Sequence, residues 1–188
     1  MFIRSERLFL RPGWPEDWEE LLAGIGDEAV VRNLAKAPWP YTADDARWFS
    51  SQPQDPRCPH FFVTVPTSRE PARIIGGVGL ALNDGEIELG YWIARDSWGR
   101  GYATEAARAV LRLARTLGHS RISAGHFADN PASGKVLRKV GFAPTGELRP
   151  RYCVARGSDV PAVIHALTLG QPSDCDGGDK PDMVMRVA

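Results

Sequence analysis

Two glycines, Gly99 and Gly101, stand in "DSWGRGYATEAARAVLRLARTLG", where a strand-like pattern turns into a helical one. This junction restricts the fold more than any other feature of the chain. Before it, "HFFVTV", "RIIGGVGLAL" and "EIELGYWIA" read as strands. The last two are joined by Asn83, Asp84 and Gly85, residues that tolerate the positive φ of a tight hairpin. An antiparallel meander is therefore predicted over residues 60–94. After the junction, Ala103, Ala106, Ala107, Val110, Leu111, Leu113, Ala114 and Leu117 recur at helical spacing and predict a buried face. Gly118 is its natural stop. Glycines at such a place surrender packing and add freedom that folding must remove. A ligand that comes close to the backbone would offset that cost. The first turn of a helix has unpaired N–H groups and a positive dipole end, so the loop is a candidate anion site. A tight connection with glycines for turn geometry alone is the other reading. The spacing is not a P-loop, because no Gly-Lys followed by Ser or Thr occurs, and the third glycine of GxGxxG is missing.

The flanks fill out the class. "FIRSERLFLRP" predicts an early strand ending at Pro12 and Gly13. Trp18, Leu21, Leu22 and Ile25 predict a helix with acids in its first turn. Thr42 reads as the N-cap of a second helix, with Asp45 three residues on. "RISAGHF" is a short strand. "DNPASGKVLRKVGF" is a helix capped by Asn130, with Pro131 at its first position and Gly141 past its end. "RYCVARGSDVPAVIHALTL" reads as a hairpin broken over residues 157–161. The expected organisation is one mixed α/β (α+β) domain over residues 1–170. A polar tail, residues 171–188, is expected to be mobile.

Composition excludes several classes. Lys plus Arg is 23 and Asp plus Glu is 23, so the basic excess of a general nucleic-acid binder is absent. The first residues carry charges every few positions, unlike a secretory leader, and no run of about 18 apolar residues occurs. A cytoplasmic protein without membrane contact is expected. Its three cysteines, Cys58, Cys153 and Cys175, then read as reduced thiols. The four histidines show no metal-ligand spacing, and "DCDGGDKPD" lacks the terminal Glu of a calcium loop, so no metal is expected.

The segments "ELGYWIARDSWGRGYATEAARAVLRLA" and "NPASGKVLRKVGF", in that order and spacing, resemble the GNAT superfamily of acetyl-CoA-dependent N-acetyltransferases. "ERLFLRP" and "PWPYTADDARWF" are similar to its RimJ/RimL-type branch in particular. The resemblance covers about residues 3–169. It implies a mostly antiparallel mixed sheet splayed at the acetyl-CoA site and flanked by about four helices. The family's pyrophosphate motif falls on Trp98, Gly99, Arg100, Gly101, Tyr102 and Ala103, with Trp98 departing from the usual polar residue. Thr104 would add a hydroxyl. Trp92, Ile93 and Ala94 would pair with the pantetheine arm, and Asn130 would bind its end. Lys135, Arg138 and Lys139 would see the ribose phosphate, unless they are simply solvated.

The implied reaction needs an amine to lose a proton, attack a thioester and release a thiol. Glu88 is the candidate base, since a mid-strand carboxylate beside Trp92 needs a reason; a solvent-exposed face is the alternative. The family's tyrosine acid is missing between Asn130 and Phe142, which leaves Ser133 as the hydroxyl near the thiol or as a helix-turn residue. His126 is a further candidate base. Trp39 and Tyr41 would line the acceptor pocket, with Trp14, Tyr152 and His165 as further aromatic candidates, unless these rings serve only core or lid packing. The expected activity is acetyl transfer to a primary amine, on a protein N-terminus or a small molecule, by a monomer or homodimer. A CoA-binding sensor or regulatory module without catalysis is the alternative.

Overall fold

A computed structural model describes residues 1–67 and 72–170. The meander expected over residues 60–94 is present as β3 (His60–Thr64), β4 (Ile74–Asn83) and β5 (Glu86–Ile93). The β4–β5 turn has φ of 49° at Asp84 and 79° at Gly85, the left-handed pair that hairpin geometry demands. The N-terminal strand is broken into β1 (Ile3–Arg4) and β2 (Phe9–Arg11), because the Ser5 N–H turns back onto the Leu8 carbonyl at 3.0 Å.

Three helices lie between β2 and β3: α1 (Trp18–Ile25), α2 (Glu28–Val31) and α3 (Ala43–Ser50). With α4 (Tyr102–Thr116) and α5 (Pro131–Lys139), the described residues hold five α-helices rather than about four. The extra one, α2, is a single turn too short for periodicity to reveal; Asp27 caps it through the Ala29 N–H at 2.8 Å. Thr42 and Asp45 cap α3 reciprocally, and Gly118 and Gly141 follow α4 and α5 with positive φ.

After β6 (Arg121–Phe127) and α5, the chain forms β7 (Ala143–Cys153) and β8 (Ser158–Thr168). Their turn is Val154–Gly157, earlier than the 157–161 break suggested by Pro161. Pro161 lies inside β8, just past the end of its ladder with β6. There the strand needs no N–H, and the Pro161 carbonyl accepts from Ala128 N at 2.8 Å. The single sheet runs β1-β2-β3-β4-β5-β6-β8-β7, and only the β5–β6 pairing is parallel.

Each face of the sheet has its own core. One is closed by α4, whose Ala106, Ala107, Val110, Leu111 and Ala114 pack with Phe61, Val78, Leu80, Leu89 and Ile122. The other is closed by α1 and α3 over Phe62 and Ile74. A third cluster, Phe127, Cys153, Ala162 and Ile164, packs against Ala35 and Ala155. Cys58 and Cys153 are buried free thiols, and no helix among the described residues is long and apolar enough to cross a membrane. The tail over residues 171–188 lies outside the described residues.

Candidate active site

The two central strands part company almost at once. β5 and β6 share one paired position, Glu88 with Ser123. Beyond it the strands run on in the same direction without pairing, to Ile93 and Phe127. A slot therefore opens in the sheet, edged by backbone groups that an extended ligand can pair with. Ala94 donates its N–H to Ile75 O at 2.8 Å, so its backbone faces β4 instead of the slot. Strand alternation then turns Tyr91 and Ile93 toward the slot. The Trp92 indole lies against Gly24 and Gly77, on the face covered by α1.

The glycine loop stands at the open end of the slot. Gly99 and Gly101 have φ of 76° and 80°, and Gly101 is the N-cap of α4 with no side chain bonded to the first turn. Those N–H groups are left for an anion. Trp98, the departure from the family's polar residue, donates its indole N–H to the Ile93 carbonyl at 2.6 Å. It anchors the loop to the end of β5 and occupies one of the acceptors expected for pantetheine.

A second anchor came from outside the motif. Glu105, in the first turn of α4, accepts from the Ser5 hydroxyl and the Arg7 N–H, both at 2.7 Å, and pairs with the Arg7 guanidinium at 2.8 Å. Burial raises its pKa, but these donors outweigh burial and hold the carboxyl below its ordinary range. Arg7 also lies over the Tyr102 ring and donates to Arg100 O at 3.0 Å, so "ERLFLRP" and the glycine loop form one unit.

At α5, Asn130 accepts from Ser133 N at 3.3 Å, which is capping work. The Ser133 hydroxyl is thereby spared from the backbone and meets the Tyr91 hydroxyl at 2.8 Å. Tyr91 also donates to Ser133 O at 3.1 Å. Burial pushes the Tyr91 phenol up to about 12, partly opposed by the Ser133 hydrogen bond. The α5 helix carries no tyrosine, and the tyrosine hydroxyl beside Ser133 comes from β5. The signal was present: Tyr91 is the one hydroxyl on the face it shares with Ile87, Leu89 and Ile93. Lys135 and Arg138 are exposed on α5, and Thr104 is half-buried in α4.

Glu88 lies on the opposite face from Tyr91 and is 8 % exposed, although Glu86 and Gly90 on the same face are exposed. Arg151, from β7, donates to Oε1 at 2.5 Å and to Oε2 at 3.1 Å. Asn83 donates to Oε2 at 2.7 Å, and Lys36 donates to the Asn83 side-chain oxygen at 2.9 Å. Arg151 was missed because nothing near "RPRYCV" marks one arginine over its neighbour. Its guanidinium also lies against Gly125, so it spans the slot from β6 to β5.

Other candidates fall elsewhere. Tyr41 is core: its ring is buried between α1 and α3, and burial, then Asp45, pushes its phenol up to about 12. Trp39 is 40 % exposed on the segment over residues 32–41, which is tied to the β7 end by Val154 N on Ala35 O at 3.0 Å. The His126 ring is pressed against Gly134 of α5 and lies 5.2 Å from the ring of buried His165, on the Tyr91 side of the sheet. Trp14 packs under Arg11, and Tyr152 is exposed on β7.

A cavity of about 500 Å³ lies between α1 and the exit of β5. Its charges are matched to one another: Arg73 to Asp96 at 2.6 Å, Arg95 to Asp27 at 3.4 Å, and Glu20 to Ile74 N at 2.9 Å. Among the described residues, no cluster of three or more His, Cys, Asp or Glu side chains is arranged to hold a metal.

Known proteins share this fold. Residues 7–143 match the acetyltransferase (GNAT) domain. The chain is 28 % identical over 171 residues to the uncharacterized N-acetyltransferase YoaA of Bacillus subtilis (strain 168), covering 88 % of this chain and 95 % of that one. An acetyltransferase (GNAT family) from Bacillus anthracis superimposes with a TM-score of 0.75 at 23 % identity, over 89 % of this chain and 98 % of the other. RimL, the ribosomal L7/L12 alpha-N-protein acetyltransferase in complex with coenzyme A, superimposes at 0.72 with 17 % identity, over 90 % and 98 %. The splayed pair, the left-handed glycine loop and the match over residues 7–143 lead to one conclusion: this chain belongs to the GNAT acetyltransferase family.

Proposed function

We propose that this protein transfers the acetyl group of acetyl-CoA to a primary amine by direct attack within a ternary complex. The observation that carries the reading is the single paired position between β5 and β6, directly beside an uncapped, glycine-flanked helix N-terminus. The helix end suits a pyrophosphate, with Gly99, Arg100, Gly101, Tyr102, Ala103 and Thr104 around it. The slot suits an arm with alternating amides, paired to the β5 backbone past Leu89. Exposed Lys135 and Arg138 on α5 are the cations proposed for the ribose phosphate.

The two faces of the slot then divide the chemistry. On the Tyr91 face, the Tyr91 hydroxyl donates to Ser133, which leaves the Ser133 hydroxyl proton as the donor for the thioester sulfur. As the C–S bond breaks, the sulfur takes up negative charge, and a donated hydrogen bond stabilises it before it is protonated. A phenol raised to about 12 stays protonated at neutral pH and so keeps donating to Ser133.

On the other face, Glu88 meets the acceptor. A carboxylate offers about four lone pairs. Arg151 and Asn83 together use three hydrogen bonds' worth of them, which leaves one on Oε1. That site accepts the N–H of the attacking amine. The amine nitrogen bonds to the acetyl carbon, the sulfur leaves with the C–S electrons, and the amine's proton passes to Glu88 or through water toward solvent.

Calorimetric titration with acetyl-CoA and with dephospho-CoA, followed by an amine screen read by mass spectrometry, tests this reading. Micromolar binding that weakens without the 3′-phosphate, together with acetylated product, is the expected result. Absence of binding up to millimolar concentration overturns it.

A further inference from the structure

Resting on the acetyl-CoA reading above, we infer that Arg7 is a positioning residue for acetyl-CoA: it fixes the peptide between Arg100 and Gly101 and keeps the Glu105 carboxylate away from the pyrophosphate. Arg7 lies outside the glycine loop, and 98 residues of sequence separate it from Glu105.

The first effect follows from the planarity of the peptide. Arg7 Nη1 donates to the Arg100 carbonyl at 3.0 Å. That carbonyl and the Gly101 N–H belong to one trans peptide, so they point in opposite directions. Holding the carbonyl on Arg7 therefore turns the Gly101 N–H to the other side of the loop. Gly101 opens α4 with φ of 80°, and no side chain bonds to that first turn. A glycine accepts negative φ about as readily, so sterics at Gly101 oppose a flip of this peptide only weakly. A flipped peptide would aim a carbonyl where the phosphates need an N–H. The glycine that lets a phosphate come close thus also loosens the peptide, and the Arg7 hydrogen bond removes that freedom.

The second effect concerns charge. Glu105 lies in the first turn of α4, where a carboxylate is attracted to the same unpaired N–H groups and dipole end that suit a phosphate. Its oxygens are engaged elsewhere. Oε1 accepts from the Ser5 hydroxyl and the Arg7 backbone N–H, both at 2.7 Å, and Oε2 accepts from Arg7 Nε at 2.8 Å. Arg7 Nη2 is also 2.8 Å from Oε2. The carboxylate is thereby drawn onto the connection between β1 and β2, and its charge is matched by the guanidinium. The Tyr102 ring lies 5.0 Å from that guanidinium and helps to hold it in place.

Calorimetry with acetyl-CoA on the wild type, Arg7→Met, Arg7→Lys and the double variant Arg7→Met/Glu105→Gln tests the inference. The Arg7 side chain is 47 % exposed, so its replacement leaves no hole in the core, and thermal melts establish that each variant is folded. Arg7→Met is expected to bind acetyl-CoA about 10-fold or more weakly, the effect of losing one hydrogen bond from a charged group. Arg7→Lys keeps the charge but cannot bridge Glu105 and the Arg100 carbonyl as a planar fork does, so it should fall between the two. Removing the carboxylate as well should restore part of the affinity lost in Arg7→Met. Donor preference is the second readout. The ratio of kcat/KM for acetyl-CoA over S-acetylpantetheine, which has no pyrophosphate, should fall in Arg7→Met by a similar factor. Unchanged acetyl-CoA affinity in Arg7→Met, or an equal loss with both donors, overturns the proposal and leaves the acetyl-CoA reading intact; Arg7 then only staples the N-terminal strand. A double variant no tighter than Arg7→Met overturns the part assigned to Glu105. A wild type that binds no acetyl-CoA overturns the acetyl-CoA reading, and this proposal with it.

Discussion

The Glu88 carboxylate is held by both terminal nitrogens of Arg151, at 2.5 and 3.1 Å, across 63 residues of sequence. This pair closes one face of the slot at the point where β5 and β6 separate. It makes Glu88 an anchored anion with one free lone pair rather than an isolated base.

Glu88→Gln should therefore leave acetyl-CoA binding intact and lower kcat. The amide can still contact Arg151, but it cannot take the amine's proton. A loss of about 10²–10⁴-fold is expected, the range for a positioned proton acceptor. Steady-state rates beside calorimetry on the same variant separate the two effects, and unchanged turnover would remove Glu88 from the chemistry.

The Tyr91–Ser133 pair predicts non-additivity. Tyr91→Phe and Ser133→Ala should each slow transfer, and the double variant should lose little more than either single one, because they remove one shared hydrogen bond. Each single change should also cost about 1 kcal/mol of stability, the worth of an ordinary internal hydrogen bond. A double-mutant cycle on kcat and on unfolding by denaturant reads both.

High pH should unfold the protein earlier than surface tyrosines would allow. Tyr41 and Tyr91 are both raised by burial to about 12 in the folded chain, against about 10 when unfolded. Above pH 10 the unfolded state releases these protons first, so stability falls with rising pH and goes on falling until about 12. Below pH 10 neither group contributes a slope. Tyr41→Phe should flatten the alkaline decline in a series of melts without touching acetyl-CoA binding.

Gly101→Ala tests the loop. At φ of 80° an alanine costs about 1–2 kcal/mol, the general penalty for a left-handed residue with a Cβ. The nearest atom to that Cβ is an Arg7 nitrogen at 3.6 Å, so there is no clash and the strain is purely conformational. The chain should stay folded with a lower Tm and bind acetyl-CoA more weakly. Undiminished affinity would show that the loop geometry is not used for the phosphates.

Gly76→Ala tests the sheet instead. Its Cβ would overlap the Trp92 carbonyl and press on the Ile93 backbone, and neither can swing away. A loss of about 1–3 kcal/mol is expected, as for other overpacked sites, read as a fall in denaturation midpoint.

What could be read from the chain by itself was local. The 3.6-residue period of α4, the Asn83-Asp84-Gly85 turn, the Thr42 and Asn130 caps and the glycine pair each act over a few residues, so neighbouring side chains and backbone sterics suffice to specify them. The resemblance added where acetyl-CoA would lie. The partners of those residues were decided only by tertiary structure. Tyr91 meets Ser133 across 42 residues, Arg151 meets Glu88 across 63, and Ser5 meets Glu105 across 100. Such meetings depend on strand order, above all on β8 lying between β6 and β7. No local pattern encodes that order; it follows from how two apolar faces are covered at once. The same packing sent Tyr41 into the core and brought an arginine from the far edge of the sheet to the slot.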